Sequence, residues 1–203
     1  MFKTIQELLD ELSKQFDTIS DERKIQLLQI SNFIQEKKNN GLAIQLVYIC
    51  THNSRRSHFG QIAATIVANY YNIKNVESYS GGTEITAFNI NAINALEKIG
   101  FEIVSNDLNN NPLYKVFYDE RNYVSCISKK YDDDANPKNN FLAIMTCSDA
   151  DENCPLILGA ENRISTTYED PKKSDGTELQ EETYIARFKQ IALETLYVFS
   201  LVK

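Results

Sequence analysis

The chain has 203 residues, 42% hydrophobic and 24% charged, with a formal net charge of -7. That is ordinary usage for one globular domain with a good core and an extension. The negative balance argues against a protein that wraps nucleic acid, which needs a basic footprint, and no run approaches the ~18 apolar residues that span a bilayer. Four cysteines, Cys50, Cys126, Cys147 and Cys154, are too sparse for a disulfide scaffold and leave a metal site, a redox relay and core packing open.

Residues 1–40 predict an antiparallel helix pair. Thr4 and Glu7 fit a capping box, and Phe2, Ile5, Leu9, Leu12 and Phe16 recur at helical spacing. Ser20 is the expected cap of the second helix, with Asp21 and Glu22 in its first turn. That helix carries Leu27, Ile30, Phe33 and Ile34 and stops at Lys37-Lys38-Asn39-Asn40-Gly41. The pair is expected to pack on the main domain or to form a homodimer contact. The amphipathic start has no apolar h-region, so a cleaved signal peptide is not expected. The expectation is a soluble cytoplasmic protein with its cysteines reduced at rest.

Residues 41–203 read as the main domain. Residues 43–49 predict a buried strand, 50–56 a polar loop, 57–71 a helix, 76–80 a short strand and 87–99 a helix closed by Gly100. Residues 105–140 are loop-rich, with an Asn run, two prolines and the solvated cluster Asp132-Asp133-Asp134, and read as a lid-like insertion. A buried strand at 141–146, a further strand at 163–168 and a closing helix from 178 to about 202 complete the pattern. Alternating strands and helices predict a three-layer α/β fold, a central parallel four-stranded sheet flanked by helices.

The informative segment is Cys50-Thr51-His52-Asn53-Ser54-Arg55-Arg56-Ser57. It follows a buried strand and opens a helix, where ligands bind in open α/β sheets. A short loop there aims several backbone N–H groups at one point, and the helix N-terminus adds positive potential. Thr51 to Ser57 thus predict a cradle for a tetrahedral oxyanion, with Arg56 reaching two of its oxygens. The same donors, with the Ser57 hydroxyl, stabilise the thiolate of Cys50 as a nucleophile.

This loop resembles the Cys-x5-Arg active-site loop of low-molecular-weight protein tyrosine phosphatases and of the thioredoxin-coupled arsenate reductases that share their fold. The resemblance extends through Ser80-Gly81-Gly82-Thr83-Glu84 and Phe88-Asn89 to Gly100-Phe101-Glu102-Ile103. It reaches Asp170-Pro171, which looks like the pair that supplies the general acid in both groups. It implies attack by Cys50 on phosphorus or arsenic while Asp170 protonates the leaving oxygen.

The two chemistries part at the second step. A phosphatase hydrolyses phosphocysteine with water, whereas a reductase draws two electrons from protein thiols. Thr146-Cys147-Ser148-Asp149-Ala150-Asp151-Glu152-Asn153-Cys154-Pro155 resembles the redox loop of the reductases. The expectation is arsenate reduction, with Cys147 attacking Cys50, Cys154 attacking Cys147 across a mobile loop, and thioredoxin recycling the pair. A phosphatase acting on phosphotyrosine or another phosphate ester is the alternative, and a non-catalytic oxyanion or redox sensor the third reading. No cofactor is implied. Cys147 and Cys154 are spaced more widely than the usual zinc pair, so no metal site is expected, and Gln61 stands where related reductases often carry a potassium-binding Glu. His52 replaces a usual Gly and either strains the loop or points outward. Arg55 replaces a frequent Cys, and Cys126 reads as a core thiol.

Overall fold

The computed structural model describes residues 1–105 and 107–203. In chain order the elements are α1 (Lys3–Leu12), α2 (Asp21–Asn39), β1 (Ile44–Cys50), α3 (Arg56–Tyr70), β2 (Val76–Gly82) and α4 (Ile90–Ile99). There follow β3 (Glu102–Val104), β4 (Tyr114–Phe117), β5 (Tyr123–Cys126), β6 (Phe141–Met145), α5 (Ser148–Asn153), β7 (Ala160–Ser165) and α6 (Gln180–Ser200). The main sheet has four parallel strands in the order β2-β1-β6-β7, as the sequence predicts.

β1 is buried along its length apart from half-buried Gln45, because both its neighbours and both its faces are covered. The pleat sends Ile44, Leu46 and Tyr48 to one face, where they join residues of α1, α2, α3 and α6 in one large core. Val47 and Ile49 face the other way and pack with Phe141, Ala143, Met145, Cys147 and Ile157, a cluster that Cys50 joins at the end of the strand. Gly60 of α3 permits the helix to lie on the sheet, since a Cβ there would meet the Tyr48 ring at 2.2 Å.

The helix pair is part of this core. Ile5, Leu8, Leu9 and Leu12 of α1 and Leu27, Ile30, Phe33 and Ile34 of α2 are buried within it, so the apolar faces of the pair are spent on the domain. Ser20 caps α2 as expected, accepting from the N–H of Arg23 at 3.2 Å. The expected capping box of α1 does not form. That helix starts two residues earlier, after Phe2, with no side-chain cap. The Phe2 N–H bonds the Tyr118 carbonyl at 2.7 Å, which fixes the entry of the chain instead.

Residues 105–140 hold more regular structure than the loop-rich reading allows. β3, β4 and β5 form an antiparallel sheet whose Val116, Val124 and Cys126 belong to the main core. Asp119 Oδ1 accepts from the N–H groups of Arg121 and Asn122, at 2.9 and 2.8 Å, and closes the hairpin. Beyond it, Lys130 makes a parallel bridge to Gly82, which lays the segment alongside the end of β2.

Candidate active site

The loop after β1 has its carbonyls tied outward. Cys50 O accepts from Thr83 N, Thr51 O from Glu84 N and Ser54 O from Asn89 N, at 3.3, 2.8 and 3.0 Å. The His52 carbonyl takes the hydroxyls of Thr86 and Ser128, at 2.9 and 3.0 Å. Among the described residues nothing accepts from the N–H groups of His52, Asn53, Ser54 or Arg55. Four successive amides are therefore left for a ligand at the N-terminus of α3. That is the physical content of an anion cradle, because unpaired backbone donors favour a negative guest.

Asn53, with φ of 42°, makes the turn. Asn tolerates this left-handed conformation better than most residues, and its side chain is fully used. Asn53 Oδ1 accepts from Lys129 N at 2.8 Å, and Nδ2 donates to Ser57 Oγ at 2.9 Å. The Ser57 hydroxyl, which accepts from Asn53, also lies within hydrogen-bond reach of Cys50 Sγ, 3.1 Å away. Gly82 makes room, since a Cβ there would lie 2.7 Å from both Asn53 N and Thr51 O. His52 follows the outward reading: its imidazole is half-exposed with Nε2 3.5 Å from Glu84 Oε2, and the positive φ falls one residue later.

Behind the loop, His58 is buried and stacked on Phe88, ring centroids 4.3 Å apart. Burial, then the nearby Lys129 ammonium, push its pKa down to about 3. Ser80 Oγ donates to Gln61 Oε1 at 2.7 Å, so it accepts from His58 Nδ1 at 3.1 Å, which puts the imidazole proton on Nδ1. Gln61 also donates to the Ser125 carbonyl at 3.2 Å. Cys126 is fully buried and its thiol is pushed up to about 12 by that burial. No sequence motif marks Ser128 or Lys129, because their contribution to the loop is hydroxyl and backbone bonding at a distance in sequence.

Arg56 points to the segment after β7. Its Nη1 donates to the Tyr168 carbonyl at 2.9 Å and its Nη2 to Asp170 Oδ2 at 2.6 Å. Its Nε is buried without a partner among the described residues. Asp170 Oδ1 accepts from Lys172 N at 3.0 Å and so caps the short turn that follows. Arg55 is drawn into the same ion network. Its Nε donates to Tyr184 Oη at 2.9 Å, and its guanidinium lies 3.9 Å from Asp170 and 4.0 Å from Asp175.

Cys147 stands at the carboxyl end of β6, beside that of β1, where Thr146 N bonds the Ile49 carbonyl at 2.7 Å. It shares a packed cluster with Cys50, and its Sγ is 3.4 Å from Thr51 Oγ1. The expected mobile loop is instead α5. Cys147 is its buried N-cap, accepting from Ala150 N at 3.4 Å, and half-buried Cys154 follows its last residue. Thr51 Oγ1 donates to Asp149 Oδ2 at 2.6 Å, and Ser165 Oγ to Asp151 Oδ2 at 2.6 Å. Arg163 Nε holds the Cys154 carbonyl at 3.1 Å. Acidic residues in the first turn and these clips make a helix of a stretch whose composition reads as loop. Among the described residues no three His, Cys, Asp or Glu side chains are grouped to hold a metal ion, and no helix is long and apolar enough to cross a membrane.

No protein-family model matches the chain. It is 28% identical over 138 residues to an arsenate reductase of Staphylococcus aureus, covering 66% of this chain and 84% of that protein. Arsenate reductase 1 of Staphylococcus epidermidis is 26% identical over 138 residues, with 66% and 83% covered. Among solved structures, a low-molecular-weight protein tyrosine phosphatase from T. tengcongensis superposes with a TM-score of 0.54 at 14% identity, over 78% of this chain and 99% of that one. An arsenate reductase in the phosphate binding state superposes with a TM-score of 0.51 at 16% identity, over 79% and 99%. These superpositions speak to fold alone. In this chain the Cys-x5-Arg loop after β1 closes on Asp170, which follows the last strand. The chain has the fold of the low-molecular-weight protein tyrosine phosphatases, and the relatives its sequence resembles are arsenate reductases.

Proposed function

We propose that this chain is an arsenate reductase. Arsenate sits on the amides of residues 52–55 and on Arg56, whose buried Nε has no partner among the described residues. The Cys50 thiolate attacks arsenic, and Asp170 protonates the oxygen that leaves. Cys147 then attacks Cys50 Sγ. The S–As bond breaks with its electron pair going to arsenic, so arsenite departs and a Cys50–Cys147 disulfide remains. Cys154 attacks Cys147, frees the Cys50 thiolate and leaves a Cys147–Cys154 disulfide for thioredoxin to reduce, in a reducing compartment such as the cytoplasm.

The observation that carries this reading is the position of Cys147, buried in one cluster with Cys50 and in contact with the loop through Thr51. Cys154 is the more exposed of the pair, as a thiol that hands electrons outward must be. The test follows arsenite release in the presence of thioredoxin, thioredoxin reductase and NADPH. The wild type is expected to turn over repeatedly and Cys154→Ser to stop after one equivalent. Undiminished multiple turnover by Cys154→Ser would sink the relay.

The separation of Cys147 from Cys154 by α5 favours a second reading, a phosphatase that never uses them as a pair. It requires steady hydrolysis of an aryl phosphate by a Cys147→Ser/Cys154→Ser variant, faster than arsenate turnover by the wild type.

A further inference from the structure

The N-terminal pair reaches the acid-bearing segment through one partly buried cation. Arg23, in the first turn of α2, has a side chain 17% exposed, and Glu194 on α6 is 6% exposed. Arg23 Nε and Nη2 contact Glu194 Oε2 at 3.0 and 2.9 Å. The same oxygen accepts from Tyr168 Oη at 2.7 Å. Arg23 Nη2 also reaches the Thr167 carbonyl at 3.4 Å, and its guanidinium lies over the Tyr168 ring, 4.9 Å from the centroid. Residues 167 and 168 are thus gripped by side chain, ring face and backbone from one residue. The Tyr168 carbonyl receives Arg56, and Asp170 is two residues further on.

We infer that Arg23 is a positioning residue for the proton-transfer step. It sets the segment 167–170 against Arg56 and so holds the Asp170 carboxyl at the leaving-group side of the cradle. The inference rests on Asp170 as the proton donor, a role shared by both chemistries above. Nothing else in the described structure explains why a guanidinium is taken into the junction of α2, α6 and the end of β7. A salt bridge serving only stability there would barely exceed an apolar contact, because desolvation offsets most of the Coulombic gain. A displaced acid, by contrast, loses transition-state stabilisation steeply with small shifts.

The test uses the full chain and two esters. Phenyl phosphate releases a basic phenolate that needs a proton, whereas p-nitrophenyl phosphate releases one that scarcely does. Arg23→Met is expected to lower kcat/KM on phenyl phosphate by about tenfold, part of the full contribution of a general acid. It should lower kcat/KM on p-nitrophenyl phosphate by less than about twofold, since kcat/KM reports the step in which the leaving group departs. Arg23→Met/Glu194→Gln removes the stranded buried carboxylate. If it melts like the wild type yet keeps the leaving-group dependence, positioning is separated from stability. Equal losses on both esters, or full recovery in the double variant, would overturn the inference. Inactivity of the wild type on both esters would instead overturn the reading of Cys50 and Asp170, and this inference with it.

Discussion

Asn53 and Gly82 show how few atoms hold the cradle open. Asn53 supplies the left-handed turn and spends both ends of its amide, one on Lys129 and one on Ser57. Gly82 faces the backbone of Thr51 and Asn53 at a distance no Cβ tolerates. Gly82→Ala is expected to push the loop inward, lowering kcat at least tenfold and stability by ~1–3 kcal/mol. A steady-state assay and urea unfolding measure the two, and a variant with wild-type kcat would show that the loop does not depend on this approach. His58 makes a prediction about acid. Its pKa is about 3 in the folded chain and ~6.5 when unfolded, so between these values the unfolded state binds the extra proton. Stability from this group is intact above the unfolded value and falls as the pH drops toward 3, by up to ~1.4 kcal/mol per pH unit. Urea midpoints measured from pH 7 to 4 should therefore fall more steeply for the wild type than for a His58→Gln variant. Parallel slopes would contradict a neutral buried imidazole.

At the scale of elements, α5 is the part most at odds with its proposed task. About 1.5 Å of rise per residue puts Cys147 and Cys154 roughly 10 Å apart along the helix, whereas a disulfide needs Cα atoms within ~7 Å. A Cys147–Cys154 bond therefore requires α5 to unwind and its clips to Thr51, Ser165 and Arg163 to break. Hydrogen exchange on a Cys50→Ser variant oxidised to that disulfide should show protection lost across 147–154 and kept in β6 and α6. Retained protection in α5 would count against the relay. The hairpin of β4 and β5 leaves little trace in the sequence, because each strand has only four residues and the adjacent Tyr123 and Val124 break the apolar-polar alternation. β7 was displaced in the reading, 163–168 against the observed 160–165, because it is an edge strand whose Glu161, Asn162 and Arg163 carry no apolar signal.

For the whole molecule, the helix pair is structural core. Eight buried apolar side chains on α1 and α2, at ~1.5 kcal/mol or more each, match the net stability of an ordinary domain. A chain lacking residues 1–40 should fail to fold, and would be recognised by loss of the thermal transition and by binding of a hydrophobic dye. A truncated chain that melts cooperatively within a few degrees of the full one would refute this.

The sequence by itself determined the setting of Cys50, the proposed nucleophile. A buried strand, a polar loop with Cys50 and Arg56 five residues on, and a following helix are local facts, fixed by periodicity and by which residues can open a helix. It also determined the parallel sheet, since alternating strands and helices leave little other choice. Only the tertiary structure decided what Arg55, Ser128, Lys129 and Arg23 do, for each acts on a residue far along the chain. The same holds for the stretch between Cys147 and Cys154, which is polar enough for a loop but is held as a helix by clips from β7 and the cradle. Local propensity is readable from neighbours in sequence, whereas a charge, an orphan amide or a short helix takes its meaning from whatever the fold brings against it.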